Sequence, residues 1–357
     1  MNSTKITLTA ILSLMILTGA QYTSAQAPVW SKANASAVAA REHGEYALAQ
    51  TFYQEAIDNQ VQALGAENPE VAVSLNNLAV SFQDQSKYPQ AEQAYLQALT
   101  ILEKGKNQDS RIARTLNNLA ALYQEEGAND KAEPLYAQAM GLWKKLGKKD
   151  SANEAVTAAS LADIYHSRNQ LVDAEPLYLR ALTLWNEQGK SESTEAADAM
   201  IHLGEIYHSQ SKNAEAAPIY AHALAIWESA GPVERTDLIA AEATLGEIYR
   251  AEGKYEEAQP LLEQALKAME QKLGPDHLDV AASLNDLALL YYCESKYDAA
   301  EPLYKRVLDI REKNLGPSDP AVLQTMQIYA ELLRQEGRKM EARKLESLSA
   351  SGMTAHL

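Results

Sequence analysis

The segment HLGEIYH, residues 202–208, holds three side chains able to ligate a metal or move a proton. Their spacing is the first test of either role. His202 and Glu205 stand i, i+3, as do Glu205 and His208, and such pairs meet on one helix face. His202 and His208 are six residues apart and point to different sides of a helix. Metal ligands on one helix sit at i, i+4, or at i, i+3 for a Glu/His pair. With His166 added, the three histidines form at most a loose zinc site drawn from separate segments. The i, i+3 pattern recurs as Asp163 with His166 and as Glu247 with Arg250. Solvated helix faces carry the same pattern. No phosphate-binding loop, G-x-S-x-G elbow or dinucleotide fingerprint is present. Cys293 is the only cysteine, so no intrachain disulfide forms, and it reads as a bystander thiol. Trp143, Trp185 and Trp227 recur at a fixed interval, which fits packing between repeats better than an exposed aromatic ladder. These residues assign no catalytic group, no metal and no cofactor.

The elements that hold these residues are repeats. SLNDLALLYYCESKYDAAEPLY (283–304) nearly copies SLNNLAVSFQDQSKYPQAEQAY (74–95). Ala49, Ala91, Ala132, Ala174, Ala216, Ala258, Ala300 and Ala342 stand 42 residues apart, with one gap of 41. Four residues after these anchors come Tyr53, Tyr95, Tyr136, Tyr178, Tyr220, Leu262 and Tyr304. Twelve residues before them come Ala79, Ala120, Ala162, Gly204, Gly246, Ala288 and Ala330. Leu75, Leu78, Ala79 and Phe82 form one stripe of a first helix; Ala91, Tyr95, Ala98, Leu99 and Leu102 form one stripe of a second. The small residues predict a close helix crossing, with the tyrosine filling the space they leave. Pro134, Pro176, Pro218, Pro260 and Pro302 recur two residues past the anchor, which predicts a place in the first turn of the second helix. Gly65, Gly274 and Gly316 are predicted helix stops. One hairpin cannot bury its stripe alone, so stacked hairpins are expected, about eight of them. The last departs from the pattern: Glu346 and Ser349 replace Tyr and Ala, and Arg338, Lys339, Arg343 and Lys344 cluster there. It reads as a polar cap.

Composition bounds the partners. The 357 residues are 46% hydrophobic with a formal charge of -16, which disfavours a nucleic-acid ligand. Tyr outnumbers Phe by 18 to 2, as expected where rings are buried and hydroxyls are polar-bound. Residues 1–25 read as a secretory signal peptide. Lys5 precedes an apolar run, Ile6 to Leu17, too short for a comfortable membrane span, and Thr23 with Ala25 fits cleavage after Ala25. An uncleaved anchor is the other reading. The expected organisation is a signal peptide over 1–25, a helical solenoid over 26–350 and a short tail over 351–357. The expected location is extracytoplasmic, either periplasmic or secreted.

The motifs Leu, Leu-Ala/Gly, Tyr, Ala, Tyr and Ala at these spacings resemble the tetratricopeptide repeat. SLNNLA, the KY-to-AEPLY run and LGPDHLDVA resemble its 42-residue kinesin-light-chain type. The resemblance covers about residues 30–350. It implies an all-α, right-handed superhelical solenoid whose first helices line a concave groove for an extended or helical peptide. It places Asn76 and Asn77, Asn117 and Asn118, and Asn285 and Asp286 in that groove, where such asparagines hydrogen-bond a ligand's backbone. Bonds between neighbouring helices are the competing role. One turn on, Asp163 and His166, Glu205 and His208, and Glu247 and Arg250 make the mid-groove charged and histidine-rich; Arg114 lies near the amide-rich end, and His202 occupies an asparagine place. The expected function is a non-catalytic protein–protein interaction module. A structural assembly factor of an envelope or secretion complex, using its convex face or ends, and a metal-dependent enzyme on a helical solenoid are the alternatives.

Overall fold

The computed structural model describes residues 28–105, 110–147, 151–231 and 235–351. The predicted signal peptide and all of the tail beyond Ser351 lie outside the described residues. Sixteen α-helices and no strand occur among the described residues. They run as helix–turn–helix pairs: α1 (Val29–Glu42) with α2 (Tyr46–Leu64), α3 (Pro69–Gln83) with α4 (Tyr88–Glu103), α5 (Ser110–Glu125) with α6 (Asn129–Leu146), and α7 (Ser151–Ser167) with α8 (Leu171–Glu187). The later pairs are α9 (Thr194–Ser209) with α10 (Asn213–Ala230), α11 (Thr236–Ala251) with α12 (Tyr255–Leu273), α13 (Leu278–Cys293) with α14 (Tyr297–Leu315), and α15 (Pro320–Gln335) with α16 (Lys339–Ser351). The chain forms two compact bodies, 1–199 and 200–357, divided inside α9. Within each body the second helix of one pair packs on the first helix of the next. None of the described helices is long and apolar enough to cross a membrane.

The turn inside each pair has one repeated geometry. Gly44, Ser86, Gly127, Asn169, Ser211, Gly253, Ser295 and Gly337 all have positive φ, and each stands five residues before its anchor alanine. The next residue's N–H closes back onto a carbonyl five residues earlier, as in Lys87 to Phe82 at 2.9 Å and Lys296 to Tyr291 at 2.8 Å. This is a Schellman stop, which needs a left-handed residue; glycine takes it freely, whereas serine does so against its Cβ. The second helix then starts at once. That corrects the proline placement. Pro302 is the sixth residue of α14 and Pro134 the sixth of α6, inside the helix rather than in its first turn. Each removes the donor to a carbonyl four residues back. Those residues, such as Val172 before Pro176, are exposed, so solvent can take the freed carbonyl.

The anchor positions form the core as their periodicity implies. All eight anchor alanines are fully buried, and the following tyrosines are at most 1% exposed. Gly204 and Gly246 mark the tightest crossings. A Cβ on Gly246 would lie 2.7 Å from Leu262 Cγ, and one on Gly204 would lie 2.9 Å from the Tyr220 ring. Trp143 and Trp185 are buried, as packing residues are; Trp227 is half-buried beneath the Arg235 guanidinium, 4.5 Å from its ring.

Tyrosine's prevalence has a specific cause here. Inside a pair, Tyr95 Oη donates to Gln83 at 3.0 Å, Tyr136 to Gln124 at 3.0 Å and Tyr178 to Asp163 at 2.7 Å. Between successive pairs, a first-helix tyrosine donates to a carboxylate on the preceding second helix: Tyr123 to Glu92, Tyr165 to Glu133, Tyr291 to Glu263 and Tyr329 to Glu301. Lysines of the turns lie over Tyr207, Tyr249 and Tyr291, and Lys131 in the first turn of α6 lies over Tyr123, with Nζ 4.8 to 5.8 Å from the ring centroids. At the C-terminal end, Arg338 pairs with Glu301, Glu336 and Glu341, so part of the basic cluster joins α16 to the pair before it.

Candidate binding site

The candidate residues sit where first helices repeat, at matched places in each pair. In the first body the amides are drawn inward. Asn76, Asn117 and Asn118 are 6%, 3% and 4% exposed. Asn118 Nδ2 donates to Asn76 Oδ1 at 3.2 Å, across from α5 to α3. Thr157 Oγ1 lies 2.8 Å from Asn117 Oδ1, to which it donates, and it accepts from Trp143 Nε1 at 3.0 Å. Asn117 is thereby tied to α6 and α7. For these three amides the fold therefore presents bonds between neighbouring helices, the competing role, rather than groups open to a groove. Buried amides find partners because leaving one unpaired costs roughly 1–3 kcal/mol. Asn77 differs: it is half-buried and makes no side-chain hydrogen bond among the described residues. Arg114 is half-buried on α5 and has a partner of its own.

The acid–histidine pairs are engaged locally. Asp163 accepts from the Tyr178 hydroxyl, and His166 meets the Tyr178 ring edge-on with centroids 6.4 Å apart. His202 Nδ1 lies 3.3 Å from Glu205 Oε2 on its own helix. His208 Nδ1 instead lies 2.9 Å from Asn213 Oδ1 on α10. His202 and His208 thus serve different partners, as their spacing implies.

The second body gathers charge along its first helices. Glu247 and Arg250 on α11 and Asn285 and Asp286 on α13 are all half-buried. Burial pushes the Asp286 carboxyl up to about 7, with the Glu247 charge adding to the rise; an Asn285 hydrogen bond and the Arg250 and Arg311 charges oppose it. Arg311 Nη1 donates to Thr325 Oγ1 at 2.8 Å, and burial lowers its pKa. Arg250 Nε and the Tyr304 hydroxyl are buried without a hydrogen-bond partner. Tyr304 lacks an acceptor because Tyr292 and Leu289 stand where Gln83 and Asp163 receive their tyrosines in other pairs. Arg311, Tyr304 and Thr325 were not among the expected site residues, because they lie outside the first-helix motif or at a core position. Aligning the repeats by their anchors would have exposed the missing acceptor.

A tetratricopeptide repeat family model matches residues 31–104, 111–187, 161–229 and 237–313, more than half of the chain. The chain belongs to the tetratricopeptide repeat family. Among solved structures, BtubC (BKLC) from P. vanneervenii matches at 23% identity and a TM-score of 0.50, over 69% of this chain and 93% of that one. The nearly identical repeats of a kinesin-light-chain-like protein from Podosopora anserina match at 23% identity and a TM-score of 0.46, over 55% and 93%. Part of a repeat protein from Cytophaga hutchinsonii matches at 13% identity and a TM-score of 0.48, over 82% and 98%. None of the curated proteins matches the chain.

Proposed function

We propose that the protein is exported and acts as a non-catalytic interaction module, binding a peptide segment of a partner protein along its first helices. The observation that carries this reading is the set of half-buried polar groups along the first helices: Asn77, Asn285 and Asp286 at the asparagine places, and Glu247 and Arg250 one to two turns further on. Ordinary packing positions of the same helices are apolar and closed. Half-open amides and charges along successive first helices offer paired donors and acceptors to a strand or helix laid across them. Export rests on Lys5, the apolar run and the Thr23/Ala25 pair. N-terminal sequencing of the native protein tests it, and recovery of an intact Met1 product would overturn it. Binding is tested by pull-down from an extracytoplasmic fraction with the wild type and an Asn285→Ala, Glu247→Ala variant. Selective loss of a partner by the folded variant supports the reading; equal recovery by both removes this surface from the interaction.

A further inference from the structure

The tyrosine–carboxylate pattern between successive pairs is broken at the first junction, where both partners are changed. Tyr123 and Tyr165 on first helices meet Glu92 and Glu133, each one residue past an anchor alanine. At the first junction the corresponding residues are Phe82 and Gln50. Phe82 has no hydroxyl to give, and Gln50 Nε2 is buried with no hydrogen-bond partner. The lysine coverage is broken as well. Lys87 occupies the turn position from which Lys254 and Lys296 cover their rings, yet among the described residues no cation lies over Phe82. A cleft of about 640 Å³ opens at this place. Gln54, Glu55, Asp58 and Asn59 of α2 wall it, and Leu78 and Phe82 of α3 line it. Gln54 Nε2 donates to Asp58 at 2.9 Å, which holds that carboxylate on the cleft wall.

We propose that this cleft receives a lysine or arginine side chain from a segment of another protein. The ring supplies the face that four tyrosines elsewhere in the chain give to the protein's own lysines. Glu55 and Asp58 supply the opposing charge. An acidic occupant is disfavoured by both carboxylates and by the formal charge of -16. The site uses α2 and the core-facing edge of α3, not the asparagines and charged pairs invoked above, so either reading can fail without the other.

The test is a fluorescence-anisotropy titration at physiological ionic strength with a labelled peptide alternating lysine and alanine, and a matched peptide with glutamine for lysine. Variants are Phe82→Leu, which keeps apolar volume and removes the ring, and Glu55→Gln with Asp58→Asn, which keeps shape and removes charge. Asp298→Asn, an exposed acid in the second body, controls for general attraction. Each cleft variant is expected to bind the lysine peptide about fivefold more weakly, with the control unchanged and thermal melts confirming that all are folded. Equal binding by the wild type and all three variants would overturn the proposal, as would equal affinity for the glutamine peptide.

Discussion

The two bodies place polar residues at the same repeat positions and resolve them in opposite ways. In the first, the amides find neutral partners: Asn118 closes on Asn76, and Asn117 accepts from Thr157, which in turn accepts from Trp143. In the second, a matched place holds Asp286, and Glu247 and Arg250 from further along the neighbouring first helix act on its charge, with an arginine nitrogen and a tyrosine hydroxyl left unpaired. Neutral amides are both donor and acceptor, so neighbouring copies of one motif can satisfy each other. Charged groups at one register cannot; they need an opposite charge, water or a ligand. One motif therefore closes on neutral partners in the first body and carries a charge in the second.

The comparison is broken most forcefully by Asn117→Ala with Asn118→Ala. If these amides are structural, the pair should cost about 3 kcal/mol in urea unfolding, because buried partners lose their bonds. An unchanged midpoint would return them to the ligand-binding surface. Next is Asp286→Asn. Its carboxyl titrates near 7 in the fold, raised above its unfolded value, so the folded state holds the proton more tightly. Stability from this group is therefore greatest at low pH and lost as pH rises from about 4 to about 7. The variant should gain about 2 kcal/mol over wild type at pH 8 and little at pH 4, read from denaturant melts. Glu242, also pushed up to about 7 by burial and by Glu228, leaves a residual pH slope in both proteins. A smaller effect tests whether the backbone treats the bodies alike. Ser86→Gly and Ser295→Gly should each add about 0.5–1 kcal/mol, since both serines hold positive φ in the same turn. Unequal gains would show that the turns, and not only the side chains, differ. Smallest is Asn77→Ala, expected to change stability by under about 0.5 kcal/mol. Its measure is partner affinity, and a folded variant with undiminished affinity would remove Asn77 from the groove.

The repeat, the paired helices and the buried alanine–tyrosine core were legible because burial enforces a strict period on side-chain size. Gly65, Gly274 and Gly316 were legible as stops for the same reason, a backbone need that few residues meet. The prolines were misplaced by one turn because helix starts follow the left-handed turn residue, and Ser86, Ser211 and Ser295 do not announce that conformation as glycine does. Asn76, Asn117 and Asn118 looked like a surface patch because polarity reads as exposure until a partner is known. Their partners lie about forty residues away, in a neighbouring pair, and only the fold brings Thr157 to Asn117. Asp286 looked like a groove ligand; its raised proton affinity comes first from burial and then from Glu247 on another helix, and no local pattern reports either.

The tyrosine–carboxylate contacts between pairs also bear on how such a chain can grow. A repeat built this way carries a donor for the copy before it and an acceptor for the copy after it, as Tyr123 and Glu133 do around one pair. Duplicating the segment therefore duplicates a matched junction along with the fold, and a new copy arrives already compatible with both neighbours. Gln50 with Phe82, and Ala217 with Tyr249, are the junctions where that compatibility has lapsed. Shuffling repeats across those two seams should be harder than shuffling them elsewhere, so the order of the repeats is freest where the chain has changed least.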